Sequence, residues 1–165
     1  MTTLVRIRPT NGPGYLVKQS LIAKSEKIKD LIGELGPVSA GNHPEVYIPL
    51  RAEIVRHVLS WMFHHKDDTG PPERLNERDG RGDAETGQWD REFLAGLETG
   101  TLMELVLAAD FLAVKELVDL TANAVSGLIT GKTPEQIRKT FNVKKDLKPE
   151  EEEIIRRENQ WCEER

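Results

Sequence analysis

Three histidines are the first residues whose types and spacing could do chemistry. His57, His64 and His65 fall at i, i+7 and i+8, so on a helix their rings share one face and a metal site is conceivable. No cysteine or carboxylate completes a ligand set at a recognisable zinc spacing, so the expectation is a polar helix end. Asp67-Asp68 lacks the remaining oxygen ligands of a calcium loop and reads as a solvated loop entry. The single cysteine, Cys162, sits beside Glu163 and Glu164, which disfavour a thiolate, and no histidine stands near it in sequence. It reads as a small apolar contact next to Trp161. The chain has no glycine-rich phosphate loop and no nucleophile elbow. No catalytic residue, cofactor or metal is therefore expected. Phe141 and Trp161 offer a different chemistry, which is recognition. Two uses fit them: packing the last helices onto the preceding ones, or anchoring a partner, a role in which tryptophan is enriched.

The elements that position these two aromatics span 131–165. Thr133 can cap a helix, Pro134 suits its first position, and Gln136 stands where a capping box needs it. Ile137 and Phe141 follow at i, i+4 as one narrow apolar ridge. A second helix opens at Pro149, with Glu150 to Glu153 in its first turn, where the helix dipole favours negative charge. Glu152–Arg156 and Glu153–Arg157 are i, i+4 pairs worth about 0.2–0.5 kcal/mol each. Beyond them this helix offers only Ile154, Ile155, Trp161 and Cys162 as apolar material, too little for a core of its own. Such a segment must borrow a surface, from its own chain or from a partner.

Upstream, Leu4 to Arg8 alternates as a half-buried strand, Asn11-Gly12-Pro13-Gly14 is a turn, and Tyr15-Leu16-Val17 returns as a hairpin. From Ser20 the pattern turns helical, with Ile28, Leu31, Ile32 and Leu35 on one face and Gly36-Pro37 as the stop. Val46-Tyr47-Ile48 reads as a third short strand. A helix from about Ala52 to His64 follows, with Ile54, Val55, Val58, Leu59 and Met62 inward. Strands interleaved with helices predict a small α/β unit. Asp67 to Gln88 is rich in glycine, proline and charge and is expected as a disordered or mobile loop (67–88). Thr101 and Glu104 suggest a capping box, before a stripe of Leu102, Leu105, Val106, Ala109 and Leu112. A further helix carries Val114 to Ile129 and ends before Gly131. The expected domains are thus 1–130 and a helical extension, 131–165.

The 38% apolar and 31% charged residues read as a soluble globular chain, and 165 residues suffice for a real core. No apolar run is long enough for a membrane span, and MTTLVRIRPT lacks the apolar stretch of a signal peptide. One cysteine leaves no internal disulfide, which fits the cytoplasm or nucleus. Net charge is −5. Residues 1–65 hold eight Lys/Arg against five Asp/Glu, whereas 66–130 are acidic and the tail is balanced. Without a concentrated basic stripe, neither nucleic acid nor membrane is an expected partner.

The tail resembles the carboxyl end of the S-phase-kinase-associated adaptor family, the small subunit linking F-box proteins to a cullin in SCF ubiquitin ligases. The residues that carry the resemblance are Gly131-Lys132-Thr133-Pro134-Glu135, Ile137-Arg138-Lys139-Thr140-Phe141-Asn142 and Glu158-Asn159-Gln160-Trp161-Cys162-Glu163-Glu164. His64 to Asp68 matches a further run of the family, placed before its charged loop. The resemblance implies a BTB/POZ-like α/β fold with a short three-stranded sheet and a carboxyl-terminal helical extension. It implies a non-enzymatic adaptor whose F-box interface involves Val125, Ile129, Ile137, Phe141, Val143 and Trp161, and whose cullin interface involves Asp110 and Phe111. Free of its receptor, such an apolar face is expected to make the protein pair with itself. The sequence departs from the pattern at three places: Asp110-Phe111 where the family usually carries Asn-Tyr, Lys148 for a capping Thr, and Arg51 for a proline. The first departure supports an alternative, a structural subunit of a non-ubiquitin assembly that keeps the same F-box-binding surface.

Overall fold

The computed structural model describes residues 4–35, 43–68, 87–144 and 148–160. Residues Met1–Thr130 form one compact unit and Gly131–Arg165 a second. In the first, β1 (Leu4–Arg8) pairs antiparallel with β2 (Tyr15–Lys18) and parallel with β3 (Glu45–Tyr47), in the order β2-β1-β3. The period of two in LVRIR buries Val5 and Ile7 and turns the arginines out. The helices are α1 (Glu26–Glu34), α2 (Ala52–His64), α3 (Gln88–Ala95), α4 (Thr99–Phe111) and α5 (Lys115–Ile129). The second unit holds α6 (Pro134–Thr140) and α7 (Pro149–Glu158). This is the mixed α/β class that the sequence implied, a three-stranded sheet with helices and a helical carboxyl-terminal part.

One core joins the inner face of the sheet to α1, α2, α4 and the start of α5. Val5, Ile7, Val46, Ile54, Val58, Met62, Leu105 and Leu117 lie in it with almost no exposure. The hairpin turn has a second task at the start of α2. Arg51 precedes that helix and carries no oxygen to cap it, so the Asn11 side chain accepts from the Ala52 N–H at 2.8 Å. Tyr15 donates its hydroxyl to the Ala52 carbonyl at 2.9 Å. Gly12 makes this approach feasible: its φ is +79°, and a Cβ there would lie 3.2 Å from that of Ala52.

Two helix starts differ from the sequence expectation. Leu21–Lys24 is a 3₁₀ turn, and the α-helix begins only at Glu26, because Ser25 caps it by accepting from the Ile28 N–H at 3.1 Å. The Ser25 hydroxyl also donates to the Leu112 carbonyl at 2.5 Å, tying the start of α1 to the end of α4. Helix α4 starts at Thr99 with Glu98 before it, which puts Thr101 at the third helical position, where it caps nothing. Glu104, the other half of the expected box, instead pairs with Arg51 at 3.2 Å. Along α4 the buried set is Leu102, Leu105, Ala108 and Ala109, and Val106 is only half-buried. The stop at Gly36-Pro37 and most of the charged loop, 69–86, lie outside the described residues.

Candidate functional site

The second unit is built by its termini. Thr133 accepts from the Gln136 N–H at 3.3 Å, and Gln136 Oε1 accepts from the Thr133 N–H at 3.0 Å, closing the capping box that the sequence announced. Helix α6 ends in a Schellman motif: the Val143 N–H reaches the Arg138 carbonyl at 2.8 Å, and Asn142, at φ +52°, takes the left-handed position. At α7, the Lys148 side chain has no oxygen to accept from the helix, so only half a box forms, the Lys148 N–H donating to Glu151 Oε2 at 2.9 Å. Arg138 joins the two helices by donating to Glu152 Oε1 at 3.1 Å. The expected Glu153–Arg157 pair is not closed; exposed ion pairs gain too little to fix two long side chains. With so few apolar residues to hide, this unit leaves many in water: Ile137 and Phe141 are half-buried, and Val143, Ile154 and Ile155 are exposed. Trp161 lies outside the described residues.

In the first unit, α5 loses its cover toward its end. Leu117 and Thr121 are buried, Val125 is half-buried and Ile129 is exposed. The helix stops where Gly131 turns to φ +73°. Asp110 and Phe111 occupy the last turn of α4, both exposed. Ala113, at φ +52°, closes a Schellman motif just beyond them, with the Val114 N–H on the Ala109 carbonyl at 2.9 Å. Phe111 is not isolated. Leu107 is 70% exposed and Met103 41%, and with Phe111 at 40% they form an i, i+4, i+8 stripe. Sequence reasoning passed over Met103 and Leu107, although a signal existed: α4 is apolar on more than one face, so a second stripe remains once the core stripe is taken away.

The histidines hold α2 to α3. The His64 ring stacks on Trp89 at 4.0 Å, and Trp89 stacks on Phe93 at 5.1 Å. His65 lies between two carboxylates, Nδ1 2.6 Å from Asp68 and Nε2 3.0 Å from Asp90, and Asp90 also accepts from Trp61 Nε1 at 3.1 Å. The hydrogen bond from His65 holds the Asp68 carboxyl below its ordinary pKa. His57 sits edge-on to Phe93 at 6.0 Å, and chiefly its burial lowers its pKa, with the Arg56 charge adding to that. The three rings therefore each have a separate structural contact. Among the described residues no group of His, Cys, Asp or Glu is arranged to hold a metal ion.

A family model described as Skp1 family, dimerisation domain, matches residues 115–162, from α5 through the tail. A Skp1-related protein of Caenorhabditis elegans is 41% identical over 162 residues, spanning 96% of this chain and 91% of the relative. Two proteins named E3 ubiquitin ligase complex SCF subunit sconC, from Talaromyces stipitatus and Talaromyces marneffei, are each 36% identical over 168 positions, covering all of both chains.

Proposed function

The chain belongs to the Skp1 family, and from that premise we propose that it is a non-enzymatic adaptor of an SCF-type ubiquitin ligase. It bridges exchangeable F-box receptors to a cullin scaffold in the cytoplasm and nucleus. The observation that carries this reading is the end-to-end similarity to proteins named as SCF subunits. The exposed apolar side chains support it, because an adaptor does its work by presenting surface. Receptors dock on Val125, Ile129, Ile137, Phe141, Val143 and Trp161, and the cullin docks on Asp110 and Phe111, with Met103 and Leu107 extending that stripe. The mechanism is proximity: two partners held on one chain meet at a high effective concentration without any bond being made by the adaptor itself. With no receptor bound, the same apolar residues drive self-association.

The test is co-expression with an F-box segment, comparing the full chain with one ending at Gly131, read by size-exclusion elution. A one-to-one complex that vanishes on truncation supports the receptor clamp. In calorimetry, Trp161→Ala should weaken receptor binding by about 2 kcal/mol or more if it is an anchor, and an unchanged affinity removes it from the interface. A titration with a cullin amino-terminal region separates the alternative. If receptors bind and cullin does not, Asp110-Phe111 marks a structural subunit of another assembly.

A further inference from the structure

The outer face of the sheet belongs to neither surface described above. Strand alternation sends Val5, Ile7 and Val46 into the core and leaves Arg6, Arg8, Leu16, Lys18, Glu45 and Tyr47 outside. Register sets Leu16, Arg6 and Glu45 side by side across the three strands, with Arg8 beside Tyr47. Arg8 Nη1 reaches Glu45 Oε1 at 2.9 Å, so the one carboxylate of this face is already matched. Arg6 and Lys18 have no ion-pair partner among the described residues. The stem of Arg6 is laid over Gly14, where an added Cβ would meet its Cγ at 3.4 Å and its Cδ at 3.7 Å. Leu16 is 49% exposed and Tyr47 59%, on opposite edge strands. Two strand spacings and a two-residue offset along the strands put them about 12 Å apart on this face.

We propose that this face docks an acidic segment of a protein partner, with carboxylates on Arg6 and Lys18 and apolar side chains against Leu16 and Tyr47. Charge complementarity selects the occupant. Two unmatched cations in a chain of net charge −5 attract a short acidic segment, while the rest of the molecule repels a long polyanion such as nucleic acid. A second copy of the chain would bring the same cations to a symmetric face-to-face contact and be repelled. The exposed leucine and tyrosine favour a partner with apolar side chains between its carboxylates. This surface is independent of the adaptor reading and stands or falls separately.

The test titrates the full chain into a labelled peptide of alternating Glu and Leu, against a matched peptide of Gln and Leu, by fluorescence anisotropy. The Glu peptide should bind, and its affinity should fall ~10-fold or more between about 0.05 M and about 0.5 M salt. Arg6→Glu combined with Lys18→Glu should weaken it at least ~10-fold, and Tyr47→Ala ~3-fold or more. All three are exposed sites, and unchanged circular dichroism and an unchanged urea midpoint confirm that the variants are folded. Amide chemical-shift mapping of the unmodified chain gives a readout free of variants, with changes expected along β1, β2 and β3. Equal binding of the Gln peptide, stronger binding of a single-stranded RNA of equal charge, or shifts confined to α4 or the tail would overturn the proposal.

Discussion

Ser25→Ala probes the joint between the sheet side of the core and the end of α4. The Ser25 hydroxyl is fully buried and makes two hydrogen bonds, accepting from the Ile28 N–H at 3.1 Å and donating to the Leu112 carbonyl at 2.5 Å. Alanine removes the cap of α1, which costs about 1 kcal/mol. It also strands the carbonyl of Leu112, itself a buried residue, at about 1–3 kcal/mol. The sum is about 2–4 kcal/mol, a large share of a domain's stability. Urea unfolding followed by tryptophan fluorescence reads it directly, since Trp61 is buried. With a slope of about 2 kcal/mol/M, in the middle of the usual range, the midpoint should drop by about 1–2 M at unchanged slope. Thr133→Ala is the comparison, removing a cap of the same kind at an exposed site for about 0.5–1 kcal/mol. A loss for Ser25→Ala under about 0.5 kcal/mol would mean that water replaces both bonds, and the reasoning from burial would be refuted.

Three further outcomes are expected. Leu107→Ala should leave folding stability within about 0.5 kcal/mol, because the side chain is mostly in water, yet weaken cullin binding ~10-fold or more; an unchanged Kd in calorimetry would remove α4 from that interface. Ala113→Gly relieves a left-handed residue at φ +52°, gaining about 1–2 kcal/mol against about 0.4–1 kcal/mol of added unfolded-state freedom, so the urea midpoint should rise slightly and a fall would refute the strain. His57 has its pKa lowered from 6.5, chiefly by burial, so above 6.5 it is neutral in both states and contributes nothing to the pH dependence. As pH falls through 6.5 the unfolded chain takes up the proton first, and the folded chain loses stability down to the folded pKa. His57→Gln should therefore flatten the acid limb of a stability–pH curve, and parallel curves for the two proteins would sink that assignment.

Sequence alone determined the elements whose causes are local. The alternation of LVRIR made β1, Thr133-Pro134-Gln136 made the start of α6, and Gly131 ended α5, because each depends on neighbours within one turn or one pleat. The resemblance likewise rests on runs of neighbours in sequence, 131–135, 137–142 and 158–164. Tertiary structure decided what depends on residues far apart. Asn11 caps α2 across 41 positions, and Ser25 meets Leu112 across 87; no local pattern encodes either bond. The same holds for exposure. The apolar spacing of α4 fits a core helix on two of its faces, and only the packing of α2 and α5 decided which leucines were covered and which, with Met103, Leu107 and Phe111, stayed in water. A helix pattern records which residues are apolar, but the neighbour that covers them arrives from elsewhere in the chain, and where none arrives the surface is left for a partner.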